Sequence, residues 1–152
     1  MRKLKIYGIS SLALFAASCS LFQKSLDHHA DLKLHIKTSP CYGTCAVYDL
    51  TIENGVAKYY GIKHPKTKDS LEVVLPQFEL DSIYLVFNQN NVWELDSSYD
   101  NPLLSDLPSV SIEYSEKDKM KKIYARDNIP QNLIKIINYI DRMRLRTFEE
   151  LQ

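Results

Sequence analysis

Six stretches of the chain between residues 31 and 126 alternate apolar and polar side chains, as β-strands with one buried face do. Between the second and third stretches, Asn54 and Gly55 tolerate the left-handed backbone that a tight hairpin needs. The alternation predicts a mainly antiparallel sheet of about six strands with one face exposed to solvent. The predicted strands are Leu32–Lys37, Tyr48–Glu53, Val56–Ile62, Leu71–Leu75, Ser109–Tyr114 and Met120–Arg126.

Two further segments repeat apolar residues every three or four positions, which predicts amphipathic helices. The first helix is expected from about Gln77 to Gln89. The second is expected from about Asn128, acting as the N-cap, to Arg142, with Pro130 in its first turn. Both helices should cover the same face of the sheet, so the predicted fold is an α+β sandwich of two layers. The apolar stripe of the second helix consists of Leu133, Ile136, Ile137, Ile140 and Met143.

The segment from Trp93 to Leu107 has no hydrophobic period and contains Pro102. It is predicted to be a long connection that Trp93 and Tyr99 hold against the domain. Long ordered loops in compact domains are often functional or locally fixed, which makes this segment a candidate for binding.

The N-terminus has three basic residues among its first five, then the apolar run Ile6–Ala17, then small residues before Cys19. The run of 12 residues is too short to span a bilayer as a helix, which needs about 20, so we expect a cleaved signal peptide. Ala16–Cys19 resembles the bacterial lipoprotein signal, in which the cysteine is acylated after cleavage, although Ala16 stands where Leu is most frequent. An ordinary secretory signal that leaves Cys19 as a free thiol is the alternative.

These patterns divide the chain into a signal peptide at 1–18, a lipidated tether at 19–30, a single α+β domain at 31–146 and a C-terminal tail at 147–152. The membrane is thus an expected partner, through the lipid on Cys19. Ser20 follows the cysteine, and by resemblance to lipoprotein sorting signals it indicates the periplasmic face of the outer membrane.

Composition and charge limit the classes of function. Hydrophobic residues make up 45% of the chain and charged residues 25%, which is typical of a soluble globular protein. Loss of residues 1–18 would leave 16 basic against 19 acidic residues, a net charge of −3. Nucleic acid is therefore not an expected partner, because its binding relies on a concentrated basic surface. Four lysines near one predicted turn are interpreted as a solvated hairpin: Lys117, Lys119, Lys121 and Lys122.

Cys41 and Cys45 lie in a segment where Pro40 and Gly43 favour a bend. In an extended strand their α-carbons would be about 13 Å apart, whereas a disulfide needs about 4.4–6.8 Å, so only a turn lets them bond. Outside the cytoplasm we expect this pair to form a structural disulfide. Two alternatives stay open. A redox-active pair usually has two intervening residues and opens a helix, and a metal site would need a ligand such as His28, His29, His35 or His64.

The segment Cys41–Tyr48, together with Tyr99 and Asp106–Pro108, resembles a domain-of-unknown-function family whose members are mostly Gram-negative lipoproteins. The family usually has the motif Cys-aromatic-Gly-x-Cys-Pro-x-aromatic, and Ala46 replaces the proline here. The resemblance covers roughly residues 32 to 143. It implies a two-helix α+β domain, places Asp106 at an acidic position of the family pattern and brings no known activity.

No catalytic constellation and no cofactor site can be named from the sequence. Gly-x-Ser-x-Gly, His-Glu-x-x-His and glycine-rich phosphate loops are all missing from it. Asp96, Asp100 and Asp106 share one loop, but they lack the alternate spacing and internal glycine of a calcium loop. The sequence therefore names no metal site, and it favours a non-enzymatic role while leaving the question of enzyme activity open.

The leading hypothesis is a non-catalytic binding or adaptor module of the cell envelope, whose partner is an envelope protein or a small ligand. One alternative is a small periplasmic redox or metal-dependent protein that uses Cys41 and Cys45, and another is an inhibitor of a periplasmic hydrolase. Tyr59 and Tyr60, with Tyr42, could also line a binding face, because Tyr is favoured at recognition surfaces. The candidate binding loop residues are Tyr42, Gly43, Thr44, Tyr99, Asp100 and Asp106.

Overall fold

The structure, a computed structural model, describes residues 29, 31–63, 70–104 and 106–149. The expected signal peptide, the lipidation site Cys19, nearly all of the tether, His28 and His64 lie outside the described residues. Within the described part of the chain, no helix combines the length and the apolar character needed to cross a membrane.

Seven strands and two α-helices form the described part of the domain. The strand order across the sheet is β4-β3-β2-β1-β6-β7-β5, and every pairing is antiparallel except that of β5 with β7. The strands are β1 Lys33–Thr38, β2 Val47–Glu53, β3 Val56–Lys63, β4 Ser70–Val74, β5 Ser98–Tyr99, β6 Val110–Glu116 and β7 Lys119–Ala125. The helices are α1 Gln77–Gln89 and α2 Gln131–Arg144, with a 3₁₀ turn at Val92–Glu94 and a π-helical turn at Leu145–Glu149.

The alternation along the strands determines which face of the sheet is buried. Leu34 and Ile36 of β1 are buried, whereas the intervening His35 is only partly covered. Leu50 and Ile112 continue the buried row on the two neighbouring strands, and both helices pack against this row. The expected α+β fold with a mainly antiparallel sheet is confirmed. The buried residues of the two helices include Leu80, Ile83, Phe87, Leu133, Ile136, Ile140 and Met143.

The connection after α1 is more ordered than its sequence indicates. Asn91 adopts a left-handed backbone with φ of 53° and leads into the 3₁₀ turn, and β5 then pairs Tyr99 with Ala125 of β7. The carbonyl of Tyr99 also accepts hydrogen bonds from the backbone N–H groups of Arg126 and Asp127, at 2.8 and 3.2 Å. A strand of two residues is too short for an alternating pattern, so the prediction of an irregular loop from Trp93 to Leu107 was wrong in part.

The second helix begins later and the core ends later than expected. Asn128 has a positive φ of 52°, and the N-cap is Pro130, so α2 begins at Gln131. Pro130 disfavours the helical conformation at the residue before it, which prevents an earlier start. At the other end, Phe148 is buried and stacks on Tyr59 at a centroid distance of 5.0 Å. The core therefore includes a residue expected to lie in a tail at 147–152.

Candidate binding site at the disulfide end of the sheet

Strand pairing brings two loops together at one end of the sheet. Thr38 at the end of β1 pairs with Val110 at the start of β6, and Val110 pairs with Ala125 at the end of β7. The loop 39–46 therefore lies beside the connection 100–109. Two hydrogen bonds join the bases of these loops. The backbone N–H of Ser39 donates to the Ser109 carbonyl at 2.9 Å, and the backbone N–H of Ser109 donates to Ser39 Oγ at 2.7 Å. We call this region the disulfide end of the sheet.

A disulfide between Cys41 and Cys45 closes the loop 39–46, as expected from the sequence. The sulfur atoms are 2.03 Å apart and the α-carbons 5.8 Å apart. Thr38 closes the base of the same loop, because its Oγ1 donates to the Ala46 carbonyl at 3.1 Å and accepts from the Tyr48 N–H at 3.0 Å. The loop is thus fixed at two levels, while its tip stays in solvent.

Arg126 is a firmly held charged side chain at this end. Its Nε donates to the Tyr124 hydroxyl at 3.0 Å, and its Nη2 donates to the same oxygen. Nη1 donates to the Leu104 carbonyl at 3.2 Å, and Nε lies 3.4 Å from Asp100 Oδ1. The hydrogen bond with Tyr124 raises the pKa of Arg126, and the charge of Asp100 raises it further. The guanidinium is therefore a fixed positive charge.

A cleft of about 560 Å³ separates the disulfide loop from Arg126. This volume falls within the range of about 300–1,000 Å³ that is usual for small-molecule sites. Two cations, one carboxylate and two serines line it. The lining includes Ser39, Cys41, Tyr42, Lys63, Asp106 and Arg126.

The structure brings together only some of the candidate loop residues. Tyr42 and Asp106 line the cleft, and Asp100 contacts Arg126. Gly43 and Thr44 are exposed at the tip of the disulfide loop. Tyr99 has a structural role instead, because its ring packs against the core and its hydroxyl accepts the Asp96 N–H at 2.8 Å.

The expectation that Tyr59 could line a binding face is wrong. Its side chain is on the helix-covered face of the sheet and is fully buried, with 0% exposure. Tyr60, the next residue, is 55% exposed but points to the opposite face, away from the core.

Lys63 and Arg126 are the site residues that the sequence did not indicate. Each is at or just after the end of a strand, and neither belongs to a motif. Only strand pairing could have identified them. Once the hairpins are paired, the end of β3 and the end of β7 fall at the same end of the sheet as Cys41.

Comparison with known families bears directly on this region. A family described as a domain of unknown function, DUF6438, matches residues 32–144, which is well over half of the chain. The chain belongs to the DUF6438 family. The match agrees with the expected domain of unknown function, and it includes both the disulfide loop and Arg126. No curated protein matches the chain.

Two of the histidines considered as metal ligands, His29 and His35, lie within the described part of the DUF6438 domain. His35 Nε2 is 2.8 Å from Asp49 Oδ1 on the open face of the sheet, and the ring of His29 stacks on Tyr84 at 3.7 Å. Across residues 29, 31–63, 70–104 and 106–149, no group of three or more His, Cys, Asp or Glu side chains could hold a metal ion.

The open face of the DUF6438 sheet carries Tyr60, one of the tyrosines considered above for a binding face. Its charged side chains form pairs between neighbouring strands, including Lys58 with Glu72 at 3.2 Å and Lys122 with Glu113 at 2.9 Å. Exposed pairs of this kind contribute little stability, but they leave the charges of the face already balanced. Two grooves on this face measure about 190 and about 320 Å³, both smaller than the cleft at the disulfide end. The disulfide end therefore remains the stronger candidate site.

Proposed function

We propose that this DUF6438 protein is a lipid-anchored, non-catalytic binding or adaptor module of the bacterial cell envelope, and that its partner binds at the disulfide end of the sheet. The observation that carries this proposal is the convergence of two loops around the fixed Arg126. Each of the two loops also carries an exposed large side chain, with Tyr42 at 92% and Leu103 at 89% exposure. Apolar groups around a held arginine are the usual composition of a protein-binding surface.

The path of the chain supports an outward orientation of this surface. Asp31 accepts a hydrogen bond from the Lys117 N–H at 3.0 Å, so the chain enters the domain beside the β6–β7 turn. From there β1 runs from Lys33 to Thr38, which corresponds to about 20 Å of strand. An anchor at Cys19 would thus attach to one end of the domain and present the disulfide end away from the membrane.

The setting of the disulfide favours binding over redox catalysis. A reactive cysteine is commonly placed at the N-terminus of a helix, which stabilises its thiolate. Here Cys45 is followed by β2, so the loop lacks that support. A pinned and exposed loop suits recognition of a partner.

Site-specific photo-cross-linking tests the binding surface. A benzophenone amino acid is placed at Tyr42 in the full chain, which is expressed and irradiated in Gram-negative cells. The matched control is Phe78, an aromatic residue that is 64% exposed on α1. We expect a discrete cross-linked band from position 42 and none from position 78. Equal cross-linking at both positions would contradict the proposed surface.

The lipid anchor is tested by labelling cells with an alkyne fatty acid and attaching a dye to the labelled proteins. The unmodified protein should carry the label, and Cys19→Ser should not. The double variant Cys41→Ser/Cys45→Ser is the control and should keep the label, because its lipid acceptor is unchanged. Label on Cys19→Ser would overturn the anchor. External protease should leave the protein intact in whole cells if it faces the periplasm.

A further inference from the structure

We infer that the cleft at the disulfide end binds the C-terminal carboxylate of a peptide, with Arg126 as the group that contacts the carboxylate. This inference rests on the proposed binding function and adds the chemistry of the ligand to it.

The hydrogen bonds of Arg126 leave part of its guanidinium available. Arginine has five N–H donors, and three of them are directed at Tyr124 and Leu104 among the described residues. Two remain for a ligand. Because Tyr124, Leu104 and Asp100 already fix the side chain, binding costs little additional side-chain entropy. A planar guanidinium with two donors to spare matches a carboxylate in geometry and charge.

Ser39 adds a hydroxyl donor to the lining of the cleft. Its Oγ accepts from the Ser109 N–H at 2.7 Å and from the Ser109 hydroxyl at 3.0 Å. Because the oxygen of Ser39 accepts both of these bonds, its hydroxyl hydrogen can be donated to a ligand. Ser39 lines the cleft, so an anionic oxygen placed there would receive this hydrogen bond.

The remaining lining selects a peptide end over a bare anion. Lys63 gives the cleft a second cation, whereas Asp106 contributes one carboxylate that can accept an N–H. Leu107 is 39% exposed at the cleft, and Leu104, whose carbonyl contacts Arg126, is 40% exposed. The last residue of a peptide presents a carboxylate, an amide N–H and a side chain within a few ångströms. An apolar side chain at that residue would complete the match.

Nuclear magnetic resonance of the full chain in detergent micelles tests this inference. The ¹⁵N-labelled protein is titrated with N-acetyl-Ala-Ala-Leu, which has a free carboxylate, and with the same peptide as its C-terminal amide. We expect saturable shifts of the Arg126 Nε–H signal and of the Ser39 and Ser109 amides with the free acid. The amide should bind at least about tenfold more weakly, because it lacks the charge that a charge-assisted hydrogen bond needs.

Three variants separate the chemistry from a general loss of fold. Arg126→Gln should weaken binding at least about tenfold. Lys63→Gln should weaken peptide binding by a smaller factor and leave the melting temperature unchanged. This variant therefore still tests the charge of the cleft if Arg126→Gln disturbs the fold. Lys122→Gln is the control, because this cation lies on the open face of the sheet and pairs with Glu113. It should bind the peptide as the unmodified protein does.

Equal affinity for the acid and the amide would overturn the inference. Shifts confined to residues outside the cleft would overturn it as well. Inorganic phosphate is the third ligand, and saturation by phosphate at or below the peptide concentration would also overturn it in favour of a phosphate site. A failed titration with cross-linking at Tyr42 retained would contradict only the carboxylate chemistry. Peptide binding without selective cross-linking at Tyr42 would contradict only the proposed function.

Discussion

The guanidinium of Arg144 lies over the ring of Tyr48, with its carbon 4.7 Å from the ring centroid. Arg144 is only 3% exposed, and its Nε is 3.2 Å from Asp141 Oδ1. The Tyr48 hydroxyl donates to the same carboxylate oxygen at 3.3 Å, and burial, followed by the charge of Asp141, raises the pKa of Tyr48. This cluster joins the last turn of α2 to Tyr48 in β2, two positions after the end of the disulfide loop.

The first prediction is that Arg144→Ala lowers the free energy of unfolding by about 2–3 kcal/mol. The change removes a desolvated cation–π contact and the packing of a buried aliphatic stem. Arg144→Met should lose less, because it keeps most of that stem. Urea unfolding followed by far-ultraviolet circular dichroism measures the difference.

Arg142→Ala is the matched control, since Arg142 is an exposed arginine on the same helix. It should change stability by no more than about 0.5 kcal/mol. Equal losses for the Arg142 and Arg144 variants would mean that Arg144 contributes no specific contact to the core.

The second prediction concerns two adjacent isoleucines of α2. Ile136 is fully buried, with 0% exposure, whereas Ile137 lies at the edge of the core and is partly exposed. Ile136→Ala should cost about 2–5 kcal/mol and Ile137→Ala clearly less, because cavity and transfer costs scale with burial. Thermal and urea unfolding of both variants measure this order. A larger loss for Ile137→Ala would place the helix in a rotated orientation on the sheet.

The helices show how far hydrophobic periodicity predicts this fold. The helix α1 occupies Gln77–Gln89, the range that its apolar spacing indicates, because Pro76 and a row of asparagines limit it on both sides. Ile137 was assigned to the apolar stripe of α2 with Ile136, yet only Ile136 is central. Spacing identifies the buried side of a helix, but the boundary of the buried side depends on the partner surface.

The candidate site was less accessible to prediction. Cys41 and Tyr42 can be identified from the sequence, because the cysteine spacing and the expected secretion route together predict a disulfide loop. Arg126 has no such local signal, since its role depends on Tyr124 beside it and on Asp100 and Leu104, which are more than 20 positions away in the sequence. Contacts between distant segments depend on which strands pair, and this pairing cannot be predicted from the hydrophobic pattern of a single sequence.

The third prediction concerns alkaline pH. Burial raises the pKa of Tyr139 to about 12, and the Glu79 carboxylate, which accepts its hydroxyl at 3.0 Å, adds to the shift. An unfolded tyrosine ionises near pH 10, so above that pH the unfolded chain has released a proton that the folded chain retains. The stability contributed by Tyr139 is therefore complete below about pH 10 and is lost as pH rises towards about 12.

Melting temperatures of the unmodified protein and of Tyr139→Phe, measured at about pH 7 and about pH 11, test this dependence. The variant should be less stable at neutral pH, because it lacks the hydrogen bond to Glu79, and should lose less on going to alkaline pH. Tyr60→Phe, at an exposed position of β3, is the control for removal of a hydroxyl. Identical pH dependence in Tyr139→Phe and the unmodified protein would contradict the assignment to Tyr139.

The last prediction concerns the disulfide loop. The tryptic peptide from Thr38 to Lys58, prepared without reduction, should have a mass two hydrogens below that of its reduced form, because Cys41 and Cys45 are bonded. The closed loop is short, so Cys41→Ser/Cys45→Ser should lower the free energy of unfolding by only about 2 kcal/mol. The circular dichroism spectrum should stay unchanged, since Thr38 still closes the base of the loop through Ala46.

If the loop is the recognition surface, cross-linking from position 42 should fall sharply in the Cys41→Ser/Cys45→Ser variant while the fold persists. Two thiols that react with an alkylating agent before reduction would contradict the structural disulfide, and cross-linking that survives its removal would show that the partner does not depend on the shape of the loop.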